Sequence, residues 1–160
     1  NDRPCPDKLE MSCADLEKDK STQPCANDTE GIPITLPGLC GRDQTCRYRL
    51  FTCQNPFPQA QCHCQSIGGN LVTIADPCQN IQITQIVRRH CPAVGQVWIG
   101  LKKPCQAYHY SYINGSPCKY RNWACGQPVR SGDQCVALQA NSGQWKSLCC
   151  SARIPFICRV

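Results

Sequence analysis

The chain has 160 residues, 41% of them hydrophobic, and carries a net charge of +6 at neutral pH. Seventeen of the residues are cysteines, which leaves few other apolar side chains for a core and is typical of a disulfide scaffold made in an oxidising compartment. No apolar run reaches the length of about 18 residues that a transmembrane helix needs, so the sequence predicts no membrane span.

Charge divides the chain into two segments. Residues 1–40 contain eight acidic and four basic residues, and residues 41–160 contain three acidic and thirteen basic ones. The segments therefore carry −4 and +10. Prolines interrupt any regular pattern in the first segment. We expect an irregular, cysteine-rich acidic arm over residues 1–40, followed by a basic domain over residues 41–160.

The first part of the basic domain predicts two helices. Residues 46–53 favour a strand, and residues 57–67 favour a helix that ends at Gly68-Gly69. Residues 70–74 are predicted to be extended. Asp76-Pro77 is typical of the start of a second helix, because Asp caps the first turn and Pro fits the first helical position.

The remainder of the domain predicts short strands around a long loop. The second helix carries Ile83, Ile86 and Val87 on one face, which is expected to be buried. The loop is predicted over residues 122–133, where glycine and proline occur without periodicity. Strands are predicted over residues 97–101, 108–113, 134–138, 144–148 and 155–159.

Short motifs follow one another in a fixed order from residue 46 onward. They are Gly68-Gly69-Asn70-Leu71-Val72-Thr73-Ile74, Val97-Trp98-Ile99-Gly100-Leu101, Gln127-Pro128, Cys135-Val136-Ala137-Leu138 and Phe156-Ile157-Cys158. This series resembles the C-type lectin-like domain family, and within it the branch of the granule major basic proteins. The resemblance implies an α+β fold with two helices, short antiparallel sheets and a long loop region. It also implies the disulfides Cys64–Cys158 and Cys135–Cys150.

The calcium ligands of the family are replaced in this sequence. The sugar-binding members use a Glu-Pro-Asn or Gln-Pro-Asp triplet, a following acid and a Trp-Asn-Asp triplet, because calcium prefers several charged oxygens. Here the triplets are Gln127-Pro128-Val129 and Trp145-Lys146-Ser147, and Asp133 is the acid nearby. One carboxylate beside a lysine does not hold calcium, so we expect no metal and no other cofactor.

Basic residues at these positions predict an anionic ligand. We expect the donors to converge at the emptied calcium position; they are Gln127, Arg130, Lys146 and Ser147. A second basic patch consists of Arg88, Arg89, Lys102 and Lys103. Its two arginines end a helix, so they also complement the helix dipole. The sequence thus predicts a secreted, heparin-binding protein that recognises sulfated glycosaminoglycans or other anionic glycans without calcium.

Two alternative functions stay open. Because the cysteine number is odd, at least one thiol is free, capped or bonded to another chain. The first alternative is a protein-interaction or inhibitor module linked by an intermolecular disulfide, to a second copy or to another protein. The second is a cationic defence effector. A specific nucleic-acid partner is not expected.

Catalysis and zinc binding find no support in the motifs. His63, His90 and His109 have no partner motif, and Cys62-His63-Cys64 lacks the spacing of zinc ligands. We therefore expect no enzyme activity. No leader precedes Asn1, so we expect a processed, extracellular form, with secretory granules as one route. Asn27 and Asn114 lie in Asn-x-Ser/Thr sequons and are predicted glycosylation sites.

Overall fold

A computed structural model describes residues 31–36, 46–93, 95–103, 107–128 and 134–160. Residues 1–30 of the predicted acidic arm, with the sequon at Asn27, lie outside the described residues. The sequon at Asn114 lies in an exposed turn, where Gly115 has a φ of +87°. Among the described residues, no helix has the length and apolar character needed to cross a bilayer.

The described residues form one mixed sheet and two helices. The helices are α1 (Phe57–Ser66) and α2 (Pro77–His90). The strands are β1 (Ile32–Leu36), β2 (Cys46–Asn55), β3 (Asn70–Leu71), β4 (Gln96–Lys103), β5 (Ser111–Tyr112), β6 (Gln134–Gln139), β7 (Trp145–Leu148) and β8 (Ile154–Arg159). The order across the sheet is β1-β2-β8-β4-β6-β7, with β3 paired to β8 and β5 paired to β4. Strands β4 and β8 run parallel, and the other pairs are antiparallel.

Local signals explain where the helices begin and end. The Asp76 side chain accepts a hydrogen bond from the Gln79 amide at 2.7 Å, which satisfies one of the free donors in the first turn of α2. Pro77 occupies the first position of α2, as predicted. Helix α1 ends before Gly68, whose φ of +87° is a conformation that favours glycine.

The helices cover opposite faces of the sheet. On strand β4, Val97, Ile99 and Leu101 pack in the cluster that includes the buried face of α2. The next residue after Val97, Trp98, packs with α1 on the other face of the sheet. Its Nε1 donates to the Asn55 backbone oxygen at 2.9 Å. Burial on both faces makes β4 the centre of a three-layer core.

Disulfides connect the two ends of the domain. Cys64 is bonded to Cys158 and Cys135 to Cys150, the pairs that the family resemblance implies. Three more cysteines are also disulfide-bonded: Cys53, Cys62 and Cys78. The free thiols of the described residues are Cys91 and Cys118, which are buried, and Cys125 and Cys149, which are exposed. Burial raises the pKa of both buried thiols, so the two exposed thiols are the more reactive ones.

The sheet begins earlier in the chain than the charge pattern indicates. Residues 32–36, assigned above to the acidic arm, form β1 and pair with β2. Strand β1 lies at the edge of the described sheet, where proline is tolerated.

The strand predicted over residues 108–113 is also shorter than expected. Only Ser111–Tyr112 pairs with β4. The chain then turns at once, with the Gly115 amide donating to the Tyr112 backbone oxygen at 2.8 Å.

Candidate functional site

The long loop places Gln127 against strand β7. Its Oε1 accepts hydrogen bonds from the backbone nitrogen and from Oγ of Ser147, both at 3.0 Å. The backbone holds the loop to the same strand, because the Ala124 amide donates to the Trp145 oxygen and the Trp145 amide donates to the Asn122 oxygen, each at 2.8 Å. The Gln127–Pro128 peptide is cis. Ser147 is buried, so this position is a neutral, internally satisfied contact between loop and strand.

The described atoms at this position do not fit calcium. Calcium requires six to eight oxygens, and several of them are usually carboxylates. The Gln127 amide oxygen already accepts two hydrogen bonds from Ser147. The one carboxylate side chain among the described residues, Asp76, caps α2. Among the described residues, no group of three or more His, Cys, Asp or Glu side chains could hold a metal ion. Val129 and Asp133 lie outside the described residues.

Addition of calcium is therefore expected to leave the stability of the domain unchanged. A ligand raises the midpoint of thermal unfolding only when it binds the native state. Scanning calorimetry in millimolar calcium and in a chelator should give the same midpoint. A midpoint several degrees higher in calcium would contradict the assignment of Gln127 and Ser147 as a neutral contact.

Lys146 lies on the other face of strand β7. Side chains alternate along a strand, and here Trp145 and Ser147 are buried whereas Lys146 and Leu148 are partly exposed. In the structure Lys146 is partly exposed and Ser147 is buried, and the predicted anion site formed by Gln127, Arg130, Lys146 and Ser147 stays a prediction. Arg130 lies outside the described residues, and its role stays a prediction.

Lys146 lines a groove at one end of the sheet together with Arg88 and Arg153. We call it the basic groove; its volume is about 1320 Å³. Arg88 comes from the last turn of α2, Lys146 from β7 and Arg153 from the residue before β8. No acidic side chain occurs among the described residues that line it. The groove thus contains Lys146 from the predicted ligand site and Arg88 from the predicted second basic patch. It also contains Arg153, which no sequence motif indicated.

The second predicted basic patch is divided. Arg88 and Arg89 are both exposed at the end of α2, but only Arg88 lines the basic groove. Lys102 and Lys103 lie at the other end of β4, about 20 Å from its first residue at a rise of about 3.3 Å per residue. The Lys103 Nζ donates to the Ala107 backbone oxygen at 3.4 Å. These four residues therefore do not form one surface.

Aromatic rings fill the space beneath the long loop. The ring centroids of Trp123 and Trp145 are 5.8 Å apart, and Tyr110 lies 5.0 Å from Trp123. Tyr120 contacts the edge of the Trp145 ring at 5.6 Å. Burial raises the pKa of Tyr110 to about 12, so its hydroxyl is neutral at physiological pH. The described loop residues 122–128 are thus uncharged, and none of them lines the basic groove.

The sequence and the fold match known proteins. Residues 53–160 match the Lectin C-type domain family. Bone marrow proteoglycan of Homo sapiens is 33% identical over 153 residues, which are 92% of this chain and 65% of the relative. Proteoglycan 3 of Homo sapiens is 31% identical over 156 residues, which are 94% of this chain and 64% of the relative. The chain thus spans slightly less than two thirds of the length of these relatives.

Solved structures show the same architecture. Human lithostathine superposes with a TM-score of 0.67 at 25% identity, covering 74% of this chain and 94% of the other. The carbohydrate-recognition domain of mouse scavenger receptor C-type lectin has a TM-score of 0.63 at 28% identity, covering 72% and 87%. The two-helix α+β fold predicted from the motifs is confirmed.

Proposed function

Because the chain belongs to the C-type lectin domain family, we propose that it is a secreted, non-enzymatic protein that binds sulfated glycosaminoglycans or related anionic glycans without calcium. The observation that carries this proposal is the charge of the described residues. The described residues include eleven lysines and arginines and the single carboxylate of Asp76. Such an excess of positive charge attracts polyanions and steers their association.

Two further observations favour an anionic glycan over a neutral sugar. A carbohydrate-recognition domain is among the similar structures, which supports a glycan as the ligand class. The described residues at the family's calcium position offer a satisfied amide and a buried hydroxyl, whereas cations lie elsewhere on the surface. Guanidinium and ammonium groups form charge-assisted hydrogen bonds with sulfate and carboxylate oxygens, so sulfated glycans match the available donors.

Heparin chromatography in the presence of a chelator tests the proposal. We expect the protein to be retained at physiological salt and to elute only at higher salt, because the attraction is ionic and is screened by added ions. A matrix with desulfated heparin serves as the control and should retain the protein weakly. Passage through the heparin column at physiological salt, or equal retention on both matrices, would refute the proposed ligand class.

A second candidate function is a covalent partnership through an exposed thiol. Cys125 and Cys149 are free and exposed, whereas the free thiols Cys91 and Cys118 are buried. Among the described cysteines, these two exposed thiols are the candidates for a disulfide with a second copy of the chain or with another protein.

Non-reducing mass measurement tests this candidate. We expect native material to show a mass above that of one chain, and reductant should return the monomer. Cys149→Ser or Cys125→Ser should abolish the larger species while the other substitution leaves it intact. A monomeric mass without reductant would exclude a covalent partner.

A further inference from the structure

We propose that the basic groove is the binding site for a sulfated oligosaccharide. The groove lies at one end of the sheet, and none of the described residues 107–128 lines it. This inference rests on the proposed function and adds the location of its site. Strand β4 ends at Lys103 and strand β6 begins at Gln134, whereas the groove lies beside Gln96 and Gln139, at the far ends of the same two strands. Gln127 and Ser147, at the position where the family resemblance places a calcium-bound sugar, are not among the described residues that line the groove.

The strand register explains how the groove forms and how long it is. Gln96 is opposite Gln139, Leu138 is opposite Trp145, and Asn55 is opposite Ile154. Consequently β2 and β6 end where β8, β4 and β7 begin. Five neighbouring strands meet there, and at about 4.8 Å per strand they span about 19 Å. The volume of about 1320 Å³ exceeds the range of about 300–1,000 Å³ for small-molecule pockets, so the groove suits an extended chain better than a single ion.

The charges of the groove are available to a ligand. Arg88 and Arg153 are exposed and Lys146 is partly exposed. Within the described residues, none of these three side chains forms an ion pair or a hydrogen bond. Three like charges from separate elements give the groove a positive potential that attracts polyanions. A polyanion in the groove would form charge-assisted hydrogen bonds with both guanidinium groups.

Neutral side chains of the groove discriminate between polyanions. The amides of Gln96, Gln139 and Asn141 line it beside the cations, and they offer donors and acceptors for sugar hydroxyls and sulfate oxygens. No aromatic ring occurs among the described lining residues. Single-stranded nucleic acid gains much of its affinity from stacking on aromatic rings, so the groove lacks what a nucleic acid uses. The lining therefore fits a sulfated oligosaccharide.

Matched charge reversals distinguish the groove from the remaining basic surface. Arg88→Glu and Arg89→Glu change the same charge at adjacent, exposed positions of one helix end, and only Arg88 lines the groove. Lys146→Glu has its control in Lys102→Glu, since both lysines are partly exposed strand residues. The probe is a heparin hexasaccharide, titrated by calorimetry in a chelator. We expect Arg88→Glu, Lys146→Glu and Arg153→Glu each to weaken binding about tenfold, and the two controls to weaken it by about twofold or less.

Amide chemical shifts give an independent location for the same probe. The hexasaccharide should shift the amides of Gly95 and Asn141, which line the groove, and leave those of Gly126 and Gln127 unmoved. Equal thermal midpoints for all five variants show that they are folded.

Each outcome of these titrations decides one point. If the wild-type protein does not bind the hexasaccharide, the proposed function and the groove both fail. If it binds but the groove variants match their controls, or Arg130→Glu weakens binding more than Arg88→Glu, the groove is refuted while the function stands. Equal competition by a single-stranded oligonucleotide of the same charge would overturn the ligand class. Selective loss in the three groove variants, with shifts at Gly95 and Asn141, supports the inference.

Discussion

Replacement of Trp145 by alanine is expected to lower the free energy of unfolding by about 3–5 kcal/mol, as for other buried aromatic side chains. Trp145 is fully buried, and its Nε1 donates to Oδ1 of Asn80 on α2 at 2.8 Å. Its backbone also binds Asn122 and Ala124 of the long loop. The substitution therefore removes the contact at which the helix, the strand and the loop meet.

Two control variants separate the contributions to this loss. Trp145→Phe keeps most of the buried ring but leaves Asn80 without the indole donor, so we expect a loss of about 1–3 kcal/mol. Trp123→Ala removes a partly exposed ring from the same cluster and should cost less than Trp145→Ala. Chemical denaturation measures all three. If Trp145→Ala costs no more than Trp123→Ala, then Trp145 does not anchor the loop.

Loss of the Cys64–Cys158 disulfide should lower the free energy of unfolding about as much as Trp145→Ala does. The bridge has a sequence separation of 94 residues, and its removal is expected to cost about 4–5 kcal/mol because the unfolded chain regains the entropy of an open loop. The Cys135–Cys150 bridge has a separation of 15 residues and should contribute about 3 kcal/mol.

Paired alanine variants test the difference between these bridges, since replacement of one cysteine alone would leave a reactive thiol. Cys64→Ala with Cys158→Ala, and Cys135→Ala with Cys150→Ala, are compared with the wild-type protein by denaturant unfolding. A larger loss from the short-range pair would show that loop entropy does not set the order of their contributions.

Local sequence signals were sufficient for the helices and for the central strand. Asp76-Pro77 predicts the start of α2 because the cap and the fixed proline φ act within one turn. Gly68 predicts the end of α1 because glycine tolerates the positive φ with which a helix often ends, and Gly68 has this conformation in the structure. The apolar run around Trp98 predicts a buried strand, and β4 is buried on both faces.

The site depends on contacts that are not local, and the sequence does not show them. Lys146 and Ser147 are adjacent in the chain, yet the alternation of β7 sends them to opposite faces. Arg88 and Arg153 are 65 positions apart, and the packing of α2 on the sheet brings them to one groove. Strand β1 was missed because Pro33 is disfavoured in a central strand but tolerated at an edge, and edge position is a property of the whole sheet.

We propose that this lectin domain binds a sulfated glycan through its cations and without a metal. The most direct test is the dissociation constant for a heparin hexasaccharide, measured in a chelator and again in millimolar calcium at the same ionic strength. We predict the same constant in both, with affinity that falls as sodium chloride is raised, because the contacts are ionic and screened by salt. Binding that appears only in calcium, or that does not change with salt, would contradict the account.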